Sequence, residues 1–173
     1  MMIKLTLPLD KKTVKSLHAG DSVMLSGTIY TARDCAHKRL CELIDNNQSL
    51  PFDLKDAIIY YAGPCPAKPG YASGSCGPTT SSRMDDYAPI LLNLGLGGMI
   101  GKGDMGDKVK EAIVKNNAVY FAAIGGAGAL YGKAIKSSEC VAFPDLLSEA
   151  VNKLEIENFP LVVAIDCEGK CIY

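Results

Sequence analysis

The chain has 173 residues, of which 48% are hydrophobic and 21% charged, and a formal net charge of -1. That is one domain's length of chain and enough to bury a core, since roughly 100–200 residues make a typical domain. The balanced charge gives no reason to expect nucleic acid or an anionic membrane surface as partner, so any functional charge must be local.

The first residues, Met1-Met2-Ile3-Lys4-Leu5-Thr6, lack the apolar core of a signal peptide, and no stretch approaches the ~18 consecutive apolar residues of a membrane span. A cytoplasmic protein is expected. Val23-Met24-Leu25 reads as a buried strand. The run Gly27-Thr28-Ile29-Tyr30-Thr31-Ala32-Arg33-Asp34 then reads as a junction into a helix, because Ala36, Leu40, Leu43 and Ile44 follow helical spacing. Thr31-x-x-Asp34 has the hydroxyl-then-carboxylate spacing of a capping box, which places Arg33 in the first turn. Asp34 and His37 lie three apart on that helix, where side chains meet. They read either as a general-base pair or, more simply, as a cap followed by a surface or interface histidine.

Ala57-Ile58-Ile59-Tyr60-Tyr61-Ala62 is the next strand. From Gly63 to Arg83 the chain carries four Gly, four Pro, four Ser and two Thr, a composition that breaks regular structure. Loops this long in compact domains are often functional, and the proline content favours an ordered loop over a floppy insertion. Ser82-x-x-Asp85 repeats the capping spacing and sets Arg83 in a second first turn, followed by a stripe of Met84, Tyr87, Leu91 and Leu94. Thr80, Ser81 and Ser82 are expected to support this loop or helix start. Gly98-Met99-Ile100 reads as a strand leading to Lys102, then Val109, Ala112 and Ile113 mark a helix and Ala118–Ala123 a further strand. Gly125-Gly126-Ala127-Gly128-Ala129 opens another helix but does not match G-x-G-x-x-G. It reads as close packing or a wall of a pocket before it reads as a phosphate contact. Leu147, Ala150, Val151 and Leu154 suggest a last helix, Leu161–Ile165 a last strand, and Cys167 and Cys171 flank a terminal hairpin.

Alternating strands and helices predict an α/β domain with helices packed on a largely parallel or mixed sheet, filling residues 1–173 as one unit. In such a sheet the carboxyl ends of several strands gather on one edge. Arg33, Arg83 and Lys102 fall at three such strand-to-helix junctions. A cation in a helix first turn opposes the helix dipole at a cost of roughly 0.3–1 kcal/mol, so two of them there point to a bound anion that restores the balance.

Seven cysteines (Cys35, Cys41, Cys65, Cys76, Cys140, Cys167 and Cys171) show no paired C-x-x-C spacing, and the chain is too large to need disulfides. A reducing compartment fits. With His18 and His37 as the only histidines, a metal site would need a loose grouping of three cysteines in space. Cys35, Cys65 and Cys76 lie near the expected site and are candidates for oxidation.

The runs Gly27–Asp34 with His37-Lys38-Arg39, Tyr61-Ala62-Gly63-Pro64, Gly77-Pro78-Thr79-Thr80-Ser81-Ser82-Arg83-Met84-Asp85, Met99-Ile100-Gly101-Lys102-Gly103 and Phe159-Pro160-Leu161-Val162-Val163-Ala164-Ile165-Asp166 together resemble the β subunit, or carboxy-terminal domain, of class I fumarate hydratases. The L-tartrate dehydratase β subunit is similar. The resemblance implies a swivelling β/β/α domain that works with an α subunit carrying a [4Fe–4S] cluster, whose open iron acts as Lewis acid on the substrate hydroxyl and carboxylate. It implies an α2β2 assembly and a C4 dicarboxylate substrate, with neither nucleic acid nor membrane as partner. The family's substrate-binding residues correspond here to Arg33, Arg83 and Lys102, and its proton-transfer residue to Thr79; the lesser reading of this plain hydroxyl is a substrate hydrogen bond or a helix cap. No cofactor or metal is expected on this chain itself. Fumarate is favoured over tartrate by the Thr31–Asp34 and Gly77–Thr80 runs. The reading from another class is a carboxylate- or phosphate-binding module without chemistry of its own.

Overall fold

Two apolar layers, one on each face of a mixed sheet, set the architecture. The computed structural model describes residues 1–173, with strands β1 (Ile3–Thr6), β2 (Ser22–Thr31), β3 (Ile58–Tyr60), β4 (Gly98–Gly101), β5 (Val119–Ala122), β6 (Ile135–Ala142) and β7 (Val151–Ile165). Between them lie helices α1 (Lys11–Ser16), α2 (Asp34–Asp45), α3 (Ala88–Asn93), α4 (Asp107–Asn116) and α5 (Gly128–Ala134), and the 3₁₀ turns Ser81–Met84 and Pro144–Glu149. Strands β1 to β5 lie side by side and parallel. Strand β7 runs antiparallel to both β5 and β2 and so closes the sheet on itself, and β6 pairs with its outer side. This is the swivelling β/β/α type of α/β domain. No helix is long and apolar enough to cross a membrane.

The period-two alternation of a strand assigns side chains to the two layers. In the segment after residue 57, Ile58, Tyr60 and Ala62 point into one core cluster with Leu25, Ile29, Ile100, Phe121, Phe159 and the α5 residue Tyr131. Ile59 and Tyr61 point to the other face, where Leu40 of α2, Leu91 of α3 and Val109 of α4 cover Met99 and Tyr120. The continuously apolar strand sequences follow from burial on both faces.

Three sequence expectations need correction. The stripe Leu147, Ala150, Val151, Leu154 is not a helix. It spans a 3₁₀ turn and the start of β7, where Val151 and Leu154 are buried as strand residues between β2 and β6. The β-branched and aromatic content of Val151–Ile165 wins over a chance helical spacing once two partner strands are available. The junction begins later than the run Gly27–Asp34 suggests: Gly27–Thr31 is strand, because β2 continues through a bulge between Leu25 and Gly27 to pair with β7 and β3. The stripe from Met84 to Leu94 breaks into the turn Ser81–Met84 and helix α3, and Leu94 lies exposed.

Three aromatic side chains, Tyr60, Tyr131 of α5 and Phe159, pack together in the first layer. Phe159 is fully buried, stacks on Tyr131 at 4.5 Å between centroids, and meets Tyr60 edge-on at 5.4 Å. Phe159→Ala is expected to cost about 3–5 kcal/mol of unfolding free energy, measured by urea titration.

Candidate active site

Parallel pairing of β2, β3 and β4 brings their carboxyl ends to one edge, since Thr31 lies beside Tyr60 and Tyr60 beside Ile100. Arg33 therefore leaves that edge two strands from Lys102, roughly 10 Å at the backbone from the usual strand spacing. The glycine- and serine-rich loop returns to the same edge. Thr79 N–H donates to the Tyr61 carbonyl at 2.7 Å, and Thr80 forms a parallel bridge with Lys102. Thr79 is thus held between the ends of β3 and β4.

One buried hydroxyl locks the loop to the strand. Ser81 Oγ accepts from the Lys102 N–H at 2.9 Å and lies 2.8 Å from the Tyr120 hydroxyl, which itself donates to the Gly103 carbonyl at 2.7 Å. Because Tyr120 spends its proton on Gly103, Ser81 must donate to Tyr120, and every group in the chain is satisfied. Ser81 N–H also donates to the Lys102 carbonyl at 2.9 Å. The approach is possible only because residue 101 is glycine: a Cβ there would overlap Ser81 Oγ and fall 2.9 Å from Tyr61 Cδ2. Burial pushes the Tyr120 phenol well above its ordinary range, so this link holds its protons throughout the neutral range.

Arg83 follows two residues later and reaches back to α2, where its Nε lies 3.1 Å from Asp34 Oδ1. Arg33 Nε lies 3.9 Å from Asp34 Oδ2 and 3.9 Å from Glu149 Oε1. Gly63 leaves room for this arginine, since a Cβ there would approach the Ser148 carbonyl oxygen to 2.8 Å and Arg33 Cδ to 3.3 Å. Lys102 is exposed, and its stem runs past Gly125, where a Cβ would fall 3.3 Å from Lys102 Cδ. Gly128 packs against the Gly77 backbone. The loop is ordered by the same neighbours: Cys76 N–H donates to the Gly128 carbonyl at 3.0 Å, and Cys65 N–H to the Ser75 carbonyl at 2.9 Å.

Neither capping box forms. Thr31 is the last residue of β2, and its hydroxyl accepts from Asn152 N at 3.1 Å and Asn152 Nδ2 at 3.3 Å, across the sheet. Arg33, not a first-turn residue, is the N-cap of α2, with Asp34 supplying the acidic group in the first turn. Asp85 likewise turns away and accepts from Gly106 N–H at 3.0 Å, and Arg83 sits in the last turn of a short 3₁₀ segment. The dipole argument for a bound anion therefore loses its geometry, whereas the clustering of Arg33, Arg83 and Lys102 on one edge remains.

His37 is neither a surface residue nor paired with Asp34. It is fully buried, edge-on to Tyr61, and its Nδ1 lies 2.9 Å from the Arg33 carbonyl, which can only accept. The proton is thus on Nδ1, and the neutral ring steadies the backbone of Arg33. Burial, only partly opposed by that hydrogen bond and by Asp34, lowers its pKa to about 4. Sequence reasoning missed Glu149 and Tyr120 because they come from distant segments, and it named Asp34 and His37 without the contacts they make here.

No three His, Cys, Asp or Glu side chains converge in a way that could hold a metal ion. All seven cysteines are free, and Cys41, Cys76 and Cys167 are buried. Burial raises the Cys76 thiol and a hydrogen bond to Glu149 raises Cys35, so neither is an activated thiolate. The chain's hollows, of about 260, 450 and 520 Å³, lie elsewhere; none is lined by Arg33, Thr79, Arg83 or Lys102. The cation cluster is an open surface.

The profile of the family described as Fumarase C-terminus matches residues 1–173. Fumarate hydratase 2 of Leishmania major is 42% identical over 99% of this chain, which spans 31% of that protein. The anaerobic class I fumarate hydratase of Escherichia coli is 47% identical over 84% of the chain, covering 27% of its own length. A putative L(+)-tartrate dehydratase subunit beta of Methanocaldococcus jannaschii is 44% identical over 95% of the chain and 88% of the relative. The chain thus spans about a third or less of the fumarate hydratases it matches and most of the tartrate dehydratase subunit.

Gly101→Ala is expected to force Ser81 and Lys102 apart, costing about 1–3 kcal/mol as overpacking in a filled site, read by chemical denaturation. His37 makes a separate, pH-dependent contribution. Its unfolded pKa near 6.5 exceeds the folded value of about 4, so the unfolded chain binds the extra proton and stability is lost as pH falls from 6.5 to 4, by about 3 kcal/mol. His37→Asn, which keeps a donor for the Arg33 carbonyl but cannot titrate, should flatten that part of the stability–pH curve.

Proposed function

The chain belongs to the Fumarase C-terminus family, and from that premise we propose that it is the β component of a two-part hydro-lyase that reversibly hydrates fumarate to L-malate. The observation that carries the reading is the meeting of Arg33, Arg83, Lys102 and Thr79 on one exposed sheet edge. Adding water to fumarate is hard because the proton on the carbon beside a carboxylate must be moved while negative charge builds on that carboxylate. Arginine clamps carboxylates through paired N–H groups and lysine supplies a compact charge, so Arg33, Arg83 and Lys102 bind the substrate's two ends and stabilise the developing aci-carboxylate.

Thr79 transfers the proton in this reading. Its backbone is held by Tyr61, and its hydroxyl makes no hydrogen bond within the chain, which leaves it free for substrate. The surrounding cations favour its ionised form in the transition state. The residues of this chain do not fit an iron–sulfur cluster, since its thiols do not converge. In this reading the [4Fe–4S] cluster is held by a partner α subunit, where it would supply a Lewis acid. An open site also fits a substrate pocket finished by that partner, in an α2β2 complex. Seven free thiols fit a reducing cytoplasm.

Tartrate is the second reading, supported by the coverage of the Methanocaldococcus jannaschii relative. Its additional substrate hydroxyl would face the same dicarboxylate clamps. Anaerobic hydration assays with fumarate, malate and L-tartrate, on this chain alone and with its cluster-bearing partner, separate the readings. Turnover of fumarate by the mixture only is expected. Thr79→Ala should lower kcat by roughly 10²–10⁴-fold, the usual worth of a positioned acid–base group. Turnover of tartrate alone moves the substrate, turnover by the single chain removes the split site, and dicarboxylate binding without turnover by the loaded complex leaves a binding module.

A further inference from the structure

Asp34 is the one acidic side chain that touches both arginines of the site. Its Oδ1 is 3.1 Å from Arg83 Nε and its Oδ2 is 3.9 Å from Arg33 Nε. Both contacts are on the Nε side of a guanidinium, the side away from the terminal Nη pair. Arg33 Nε and Asp34 Oδ2 are also buried without any hydrogen-bond partner. A buried donor and a buried acceptor left open this close to each other call for a reason, because each costs desolvation that a bond would return. Such catalytic contacts often stand long in the free protein and tighten when ligand arrives.

From these contacts we infer that Asp34 is a positioning residue that orients Arg33 and Arg83 as one unit. By occupying the Nε sides it leaves both Nη pairs for the carboxylates of a dicarboxylate. It is fixed for this role as the acidic residue of the first turn of α2, where the helix dipole favours a carboxylate. His37 holds the Arg33 carbonyl one turn on, so the backbone that carries both Arg33 and Asp34 is steadied from within the core. A charge with no positioning role would weaken anion binding, since it opposes the substrate. A positioning role predicts the opposite pattern: removing the charge spares binding and damages the reaction.

The role of Asp34 in catalysis rests on the hydro-lyase reading, but its grip on Arg83 does not, and the test separates them. In the ¹⁵N-labelled chain the Arg83 Nε–H signal is expected to be sharp and slow to exchange, to be lost in Asp34→Ala, which removes the acceptor, and to persist in Asp34→Glu. Retention of that signal in Asp34→Ala overturns the inference whatever the enzyme does. In the assembled complex, Asp34→Ala should lower kcat on the order of ten- to hundredfold, the range for a lost hydrogen bond to a charged group, with KM changed less than about threefold. In an Arg83→Ala background the same substitution should cost clearly less than in the wild type, since only the contact to Arg33 is left to lose. An undiminished further loss in that background contradicts positioning through Arg83. Absence of any hydratase activity from the wild-type complex sinks the proposed function, while the Arg83 signal still decides the pairing.

Discussion

Everything at the site depends on how closely a loop segment can approach a strand end. Ser81 Oγ sits where the side chain of residue 101 would be, and it is wired to Lys102 on one side and Tyr120 on the other. That single contact fixes Thr80 against Lys102, delivers Thr79 between β3 and β4, and sets the start from which Arg83 reaches α2. A loop rich in glycine and proline acquires a definite course because its last residues are treated as an extra piece of sheet. The buried network tolerates no unpaired member, which is why its geometry is unique.

The electrostatics of the edge are arranged around this frame. Arg33 and Arg83 face two carboxylates, Asp34 and Glu149, and are partly exposed, with side-chain exposures of 28% for Arg33 and 53% for Arg83. Exposed ion pairs of this kind contribute little to stability. In the proposed function their value lies in orientation and in a residual positive field suited to a doubly charged anion. The neutral, buried His37 and the protonated Tyr120 keep the supporting shell free of charges that would titrate near neutrality.

Much of the fold was legible because buried parallel strands write themselves as unbroken apolar runs, as in Ala57–Ala62 and Ala118–Ala123. The three cations were legible because parallel strands bring their carboxyl ends together, so residues just past such runs share an edge. What escaped was set by pairing between distant segments. Val151–Leu154 has helical spacing, and only the partners β2 and β6 make it strand. Thr31 and Asp85 look like members of capping boxes, yet Asn152 and the Gly106 amide claim their polar atoms. Asp34 was visible as a cap or as half of a histidine pair, but its contact with Arg83 crosses from α2 to a loop about fifty residues away and left no local pattern. His37 could not be read as buried because its helix neighbours Lys38 and Arg39 are polar.

The central claim is that this edge, and no other part of the surface, recognises a C4 dicarboxylate. The direct measurement is a chemical-shift titration of the ¹⁵N-labelled chain with succinate, the saturated dicarboxylate that has no double bond to hydrate. Shifts concentrated at Arg33, Asp34, Thr79 to Arg83 and Lys102 are predicted, weakening as salt screens the cations. Shifts centred instead on the hollow beside Lys68 and Lys133, or no shifts at millimolar succinate, would contradict it.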